Sequence, residues 1–217
     1  MTEIKHHLTD ALLMAYSAGS MPEAFSLVVA THISMCDDCR ARMGSFDAVG
    51  GELLMEAGAA EMTAGSLDAV MRMIAGEEPE PLLEKSHDNV EYLFPEPLRN
   101  YVDCSPDDIK WKKVGGGVSQ LVLPTKGEGT VRLLNIPGGV AVPDHGHRGT
   151  ELTLVLQGAF SDEVDRFGVG DIEVANEDFD HQPIAAPGVA CICLAATDAP
   201  LRFSGLLPKI AQKFVGI

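Results

Sequence analysis

A short run in the second half of the chain combines two histidines with a carboxylate. His145 and His147 are two positions apart, so their side chains project from the same face of an extended strand. Glu151 opens the apolar stretch Glu151–Gln157, and a short turn at residues 148–150 folds its carboxylate back towards both imidazoles. Two imidazoles and one carboxylate form half of a coordination shell for Zn, Mn, Fe or Ni. The pattern demands adjacent strands around a metal pocket, and this constrains the fold more than any other feature.

A third histidine, His181, follows another strand-like stretch, Asp171–Ala175. The spacing of glycine, histidine and glutamate from Gly139 to Gly158 resembles the first motif of the cupin superfamily at every fixed position. The second cupin motif is matched in part, at Gly170 and His181. The chain departs from this motif at Asn176, Asp178 and Ala185. These departures affect the shape of the loop more than the metal ligands. The resemblance implies a jelly-roll barrel whose metal ligands are His145, His147, Glu151 and His181.

A second group of metal-binding side chains lies in the first third of the chain, at His32, Cys36 and Cys39. Imidazole and thiolate in a tetrahedral His2Cys2 arrangement are typical of structural zinc. The segment Pro22–His32 predicts a helix, and Ser34 is suited to cap a second helix. Cys36 and Cys39 would then occupy the first turn of that helix, where the helix dipole favours a thiolate. A metal ion would join the corner between the two helices.

His6 and His7 are the candidates for a fourth ligand in this group. The motif and its context resemble the zinc-binding anti-sigma domain, in which a distal histidine precedes the motif histidine at the spacing that separates His7 from His32. This spacing selects His7 and leaves His6 as the alternative. With a cupin region behind the helical region, nearly all 217 residues of the chain resemble ChrR-type anti-sigma factors.

The ChrR-type resemblance implies a function in the regulation of transcription. The N-terminal zinc domain would bind an extracytoplasmic-function sigma factor in a 1:1 heterodimer and block its contacts with RNA polymerase and promoter DNA. The cupin domain would regulate release of the sigma factor under oxidative stress, with singlet oxygen as the signal in the best-known cases. We expect Zn in the first site, Zn, Mn, Fe or Ni in the cupin site, and no enzymatic activity.

The composition and the hydrophobic pattern of the sequence change along the chain, which predicts an α+β protein with separate domains. A small all-α zinc-binding helical domain is expected at residues 1–76, an acidic, proline-rich linker at 77–97, and an all-β cupin (jelly-roll) domain at 98–217. The predicted helices are Thr9–Ser17, Pro22–His32, Met35–Ala57 and Ser66–Ala75. The clearest predicted strands are Val118–Leu123, Thr130–Ile136, Glu151–Gln157 and Ala190–Leu194. The last helix is apolar nearly all round, so one of its faces belongs to a partner or to a neighbouring element.

The charge of the chain bears on the class of its partner. A formal net charge of −16 argues against wrapping nucleic acid, whose phosphates require Lys and Arg. Residues 1–76 carry four basic and ten acidic side chains, a net charge of −6. An acidic helical domain is better suited to covering the basic, DNA-binding surface of a sigma factor. We therefore expect a protein partner and no direct nucleic-acid binding.

Three further features bear on the compartment. No apolar run is long enough for a membrane span, and the polar N-terminal residues lack the apolar core of a signal peptide. Five cysteines, two of them at metal-ligand spacing, favour a reducing environment over a disulfide framework. Cys191 and Cys193 alternate in a predicted strand and are expected to pack inside the barrel, and Cys104 has no assigned role. These features predict a cytoplasmic protein.

Two other functions remain open from the sequence. A cupin metalloenzyme, such as a dioxygenase with an accessory helical domain, would use the coordination positions that four protein ligands leave open. No convincing catalytic base lies near those ligands. A DNA-binding repressor with a cupin effector domain would also combine helices with a cupin, but the acidic charge and the lack of a basic recognition helix count against it.

Overall fold

The computed structural model describes residues 3–76, 94–102, 108–178, 180–200 and 202–203. The helices in these ranges are α1 (Asp10–Ser17), α2 (Glu23–Met35), α3 (Asp37–Glu56), α4 (Ser66–Gly76) and α5 (Glu96–Arg99). The strands are β1 (Lys112–Gly115), β2 (Val118–Val122), β3 (Thr130–Ile136), β4 (His145–Gly146), β5 (Glu151–Gln157), β6 (Ala159–Ser161), β7 (Arg166–Gly168), β8 (Ile172–Ala175), β9 (Asp180–His181), β10 (Ile184–Ala185), β11 (Cys191–Thr197) and β12 (Arg202–Phe203). Most of the predicted linker and Cys104 lie outside the described residues.

All four predicted helices are present as α1 to α4, with small differences at their ends. Thr9 caps α1, because its side-chain oxygen accepts the backbone N–H of Leu12. α3 runs through Gly50 and Gly51 without a break, although glycine is a poor helix former. No helix in the described ranges is long and apolar enough to cross a bilayer.

The junction between α2 and α3 differs from the prediction. The hydroxyl of Ser34 donates to the carbonyl of Thr31 within α2, so the prediction that Ser34 caps the next helix is wrong. Cys36 follows α2 directly, and its carbonyl accepts the N–H of Arg40 in the first turn of α3. Its sulfur lies 3.5 Å from the backbone nitrogen of Cys39. Cys36 thus supplies the acceptors that the first N–H groups of a helix require.

The strands of the described residues form three antiparallel sheets. The largest has the order β1-β2-β3-β11-β5-β8, and the smaller ones have the orders β10-β6-β7 and β12-β4-β9. Strands distant in sequence are neighbours, since β11 lies between β3 and β5. Such crossovers are typical of a jelly roll and confirm the predicted fold, a helical N-terminus followed by an all-β cupin. His145 of β4 pairs with His181 of β9, which brings the two halves of the histidine pattern together.

The six-stranded sheet separates two apolar layers. On one side the leucines of β5, Leu152, Leu154 and Leu156, belong to a core that includes Val28 of α2. On the other side Val155 belongs to the core of the barrel. Side chains alternate between the faces of a strand, so the sequence predicted that both faces of β5 are covered. The structure shows that α2 covers the outer face.

Two hydrogen bonds and one steric contact hold the N-terminal end of α2 against the barrel. The carboxylate of Glu23 accepts the hydroxyl of Tyr101 and the backbone N–H of Lys126, each at 2.7 Å. The hydrogen bond from Tyr101 is the main cause that lowers the pKa of this carboxyl. Phe25 packs where Gly129 has no side chain, since a Cβ there would lie 3.3 Å from its ring.

The chain divides into two compact units. One consists of Met1–Ala48 and Tyr92–Ile217, and the other of Val49–Glu91. The first unit contains α1, α2 and every strand of the described residues, because α2 and the large sheet share one core. The domain division predicted at residues 76 and 98 follows the change from helices to strands, whereas the compact units follow the shared core. The second unit contains α4, in which no side chain is buried.

Removing atoms from the shared core should destabilise the protein. Leu154 is fully buried, so Leu154→Ala should lower the free energy of unfolding by about 2–5 kcal/mol. Leu54 is 75% exposed, so Leu54→Ala should change it by less than about 0.5 kcal/mol. Urea denaturation followed by circular dichroism measures both values. Similar losses in the two variants would contradict this description of the core.

Candidate metal centres

Four side chains converge at the corner between α2 and α3. His7 precedes α1, His32 lies in the last turn of α2, Cys36 is the residue after α2, and Cys39 lies in the first turn of α3. Each offers one ligand atom, and these atoms all lie within 4.8 Å of one another. The Nδ1 atom of His7 is 3.3 Å from the sulfur of Cys36 and 3.6 Å from that of Cys39. The structure therefore brings together the side chains in which the sequence predicted a metal site.

The geometry of this group fits a tetrahedral metal ion. Zn–S and Zn–N bonds of ordinary length place nitrogen and sulfur ligands about 3.6 Å apart around one ion. The ring of His32 is buried, and its Nε2 atom has no hydrogen-bond partner among the described residues. Its Nδ1 atom lies 3.0 Å from the carbonyl oxygen of Gly170 and can donate its proton there. That bond leaves Nε2 as the free acceptor that a metal ligand must offer.

Burial sets the protonation of two members of the group. It lowers the pKa of His32 to about 4, so that the ring stays neutral near pH 7. It raises the pKa of the Cys39 thiol to about 11, against the expectation that the helix dipole favours a thiolate. Desolvation outweighs the dipole, because Cys39 is enclosed in the core. The thiol is therefore expected to lose its proton when it binds a metal ion.

The two histidines at the start of the chain point to different places. The His7 side chain joins the cysteines, whereas the His6 ring packs against Phe167 with the ring centroids 4.3 Å apart. The Nε2 atom of His6 lies 3.1 Å from a carboxylate oxygen of Asp165. His6 is thus engaged with the turn before β7. Of the two candidates, His7 has the geometry of a ligand.

A second group of converging ligands lies inside the cupin barrel and consists of His145, His147, Glu151 and His181. All four side chains are buried. The Nε2 atom of His181 is 3.2 Å from that of His145 and 3.3 Å from that of His147. The Nδ1 atom of His147 lies 3.7 Å from a carboxylate oxygen of Glu151. Imidazole nitrogens at this spacing are arranged as they would be around a single ion.

Outer partners orient these side chains. The Nδ1 atom of His145 lies 2.9 Å from the carbonyl oxygen of Pro143, and the hydroxyl of Thr153 donates to Glu151 at 2.9 Å. Metal-binding histidines ordinarily bond a carbonyl or a carboxylate through their second nitrogen, which fixes the ring and its tautomer. The barrel group therefore has supporting contacts of the kind that a metal centre needs.

Two carboxylates that the sequence analysis missed hold His181. Its Nδ1 atom lies 3.2 Å from Asp162 and 3.2 Å from Glu173, and both carboxylates are buried. Burial alone would lower the pKa of His181, but the bond with Glu173 outweighs it and raises the pKa to about 9. Burial also raises the pKa of Glu173 to about 7. The alternation of β8 places Glu173 on the barrel side, and this was the signal that could have identified it.

Cys191 and Cys193 pack in the barrel core, as predicted. Their sulfur atoms are 3.5 Å apart, and both side chains are buried. The hydrogen bond with Cys191 and burial raise the pKa of the Cys193 thiol well above its usual value. The Cys193 thiol is therefore protonated at neutral pH in this environment.

Comparison with known proteins places this architecture in a family. A model for the ChrR cupin-like domain matches residues 100–200. The anti-sigma-E factor ChrR of Cereibacter sphaeroides is 56% identical over 214 residues, which are 99% of this chain and 99% of the relative. The chain belongs to the ChrR family of anti-sigma factors. A crystal structure of Rhodobacter sphaeroides SigE in complex with the anti-sigma ChrR contains a similar chain, with a TM-score of 0.80 and 55% identity over 90% of this chain and 100% of that one.

Membership in the ChrR family confirms the resemblance seen in the sequence. It agrees with the prediction that the chain is a regulator and not an enzyme. The similarity to an anti-sigma factor covers 99% of the chain, so it favours this function over the two alternatives, a cupin metalloenzyme and a DNA-binding repressor.

Replacing each N-terminal histidine in turn tests the ligand set at the helix corner. We expect His7→Ala to lose the metal ion of this site and His6→Ala to keep it, because the His7 side chain faces the cysteines. Elemental analysis of the purified full chain, after loading with zinc, gives the stoichiometry. Loss of metal in His6→Ala with retention in His7→Ala would reverse the assignment.

The barrel group makes a separate prediction. His147→Ala should deplete one metal ion per chain and leave the N-terminal ion in place, since the two groups share no ligand. Asp144→Ala is a suitable control, because Asp144 is near the motif but is not one of the four ligands. Unchanged metal content in His147→Ala, measured by the same elemental analysis, would refute the site.

Proposed function

We propose that this chain binds an extracytoplasmic-function sigma factor in a 1:1 complex and holds it inactive in the cytoplasm. The observation that carries the proposal is the 56% identity to an anti-sigma-E factor over 99% of the chain. The similarity includes the helical region as well as the cupin region. A similar chain is present in the structure of SigE in complex with the anti-sigma ChrR, and that structure matches 90% of this chain.

The exposed apolar face of α4 supports a protein partner. Leu67, Val70, Met71 and Ile74 follow one another at the spacing of a single helix face, and each is at least half exposed. An apolar helix face of this kind marks a contact site, because a soluble protein gains stability by covering it. A helix laid against a groove of a partner is a common arrangement. We assign α4 to the surface that contacts the sigma factor.

The acidic charge supports the same class of partner. Residues 1–76 have a net charge of −6. Sigma factors bind DNA, so they carry basic surfaces that an acidic helical region complements. An inhibitor that covers such a surface competes with DNA and need not bind nucleic acid itself.

Zinc in the N-terminal site would have a structural role. Its ligands would be His7, His32, Cys36 and Cys39, and the ion would stabilise the corner between α2 and α3. The free Nε2 of His32 and the sulfur atoms of both cysteines suit Zn better than a harder cation. A bound structural zinc ion contributes directly to folding free energy, and it would hold the start of α3 in place.

The cupin site would have a regulatory role. His145, His147, Glu151 and His181 would bind one Zn, Mn, Fe or Ni ion, which leaves coordination positions open in a five- or six-coordinate site. The signal suggested by the family resemblance is oxidative stress, singlet oxygen in particular. In this proposal the helices of residues 1–76 inhibit, the cupin at 98–217 responds, and the segment 77–97 joins them.

Truncating the exposed face of α4 tests the partner surface. Met71 and Met14 are 55% and 54% exposed, which makes them a matched pair in two different helices. We expect Leu67→Ala combined with Met71→Ala to weaken sigma-factor binding at least about tenfold, as loss of interface anchors does. Met14→Ala should have little effect. Isothermal titration calorimetry with a sigma factor of the same genome gives the affinities, and circular dichroism confirms that the variants are folded.

Two outcomes would count against the proposal. Equal losses in the α4 variant and in Met14→Ala would remove α4 from the principal contact. No binding of any extracytoplasmic-function sigma factor by the metal-loaded wild-type chain would refute the function itself.

A further inference from the structure

One short segment of the cupin region contacts both candidate metal centres. At its start, the carbonyl oxygen of Gly170 lies 3.0 Å from Nδ1 of His32 in the N-terminal group. At its end, the carboxylate of Glu173 lies 3.2 Å from Nδ1 of His181 in the barrel group. Each contact uses Nδ1 and leaves Nε2 of the same ring available as a metal ligand. The coupling segment, defined as residues 170–173, therefore supplies an outer partner to one ligand of each centre.

The same segment positions the N-terminal strap, which we define as residues 4–7. One carboxylate oxygen of Asp171 accepts the backbone N–H groups of Lys5 and His6, at 2.6 and 2.9 Å. The N–H of Ile172 donates to the carbonyl of His6 at 3.3 Å. β8 lies at the edge of the six-stranded sheet, so these bonds attach the strap beside an edge strand. The strap continues into His7, the candidate ligand.

Two features hold the strap and the coupling segment in register. Gly170 has a φ of +89°, and a Cβ on it would lie 2.6 Å from Cδ1 of Ile4, so the side chain of Ile4 packs onto the bare glycine. The second carboxylate oxygen of Asp171 accepts the N–H of Gly168 at 2.8 Å. Asp171 is 4% exposed. A shift of the coupling segment would therefore move the strap and the acceptor of His32 together.

We propose that the coupling segment links the two metal centres, so that a metal ion in the cupin site slows the release of metal from the N-terminal site. The proposal rests on the ligand sets given under the proposed function. An ion bound at Nε2 of His181 fixes the ring and its bond with Glu173, which restrains β8. A restrained β8 keeps the acceptor of His32 and the strap in place. Couplings between two sites ordinarily change affinity roughly 5- to 150-fold, and we expect the higher affinity of the N-terminal site to appear as slower dissociation of its ion.

Cobalt separates the two centres in one experiment on the full chain. Thiolates bound to Co²⁺ give a sulfur-to-metal charge-transfer absorption, whereas the proposed cupin ligands contain no sulfur. The wild-type chain and His147→Ala are loaded with Co²⁺, and the decay of this absorption is followed after addition of excess EDTA. We expect the decay to be at least about fivefold faster in His147→Ala, whose cupin site is empty.

Variants of the coupling segment then test the route. In the Asp171→Ala background, and independently in the Glu173→Ala background, adding His147→Ala should change the decay rate of the absorption by less than about twofold. Asp165→Ala is the control, because Asp165 bonds the His6 side chain but lies outside the coupling segment. This variant should keep the full difference.

The outcomes separate this proposal from the proposed function. If the cobalt-loaded wild-type chain lacks the thiolate absorption, or if Cys36→Ser keeps it in full, the N-terminal site itself is wrong. Two bound ions with decay independent of His147 would overturn the coupling alone. Coupling that persists in both variants of the segment, or that is lost equally in Asp165→Ala, would also overturn it.

Discussion

The burial of α2 against the six-stranded sheet is the interaction on which the rest of the described structure depends. Eight of its 13 residues are buried, and the apolar ones belong to the same core as the outer leucines of β5. Each fully buried aliphatic side chain contributes about 1.5–3 kcal/mol, so helix and sheet stabilise each other substantially. Without α2, the sheet would expose an apolar face to water. The first helices and the cupin barrel therefore form one compact unit.

This packing places an N-terminal ligand in contact with the cupin region. His32 is near the end of α2, and its Nδ1 reaches the carbonyl of Gly170. The ring is oriented by a residue far away in the sequence, and this leaves Nε2 without a hydrogen-bond partner among the described residues and able to bind a metal ion together with His7 and the cysteines. A metal site assembled from two parts of the chain is sensitive to their relative position. That sensitivity would suit the proposed regulator, in which the two regions have different tasks.

The buried unit contrasts with α4, whose apolar side chains are exposed. An exposed face of this kind is costly for an isolated protein, and a partner that covers it would remove this cost. Membership in the ChrR family of anti-sigma factors suggests that the proposed partner is a sigma factor. The acidic helices would also suit the basic surface of such a protein. In the proposed function, sensing and inhibition would use separate surfaces of the chain.

The sequence by itself determined the elements and the ligand types, because these depend on local patterns. Alternation and spacing identified β3 and β5 with the bounds observed, and ligand spacing identified the residues that converge in both centres apart from the choice between His6 and His7. Only the tertiary structure decided that His7 and not His6 faces the cysteines, and that Asp162 and Glu173 hold His181. It also decided that α2 belongs with the sheet. These facts depend on contacts between residues distant in sequence, which no local period encodes.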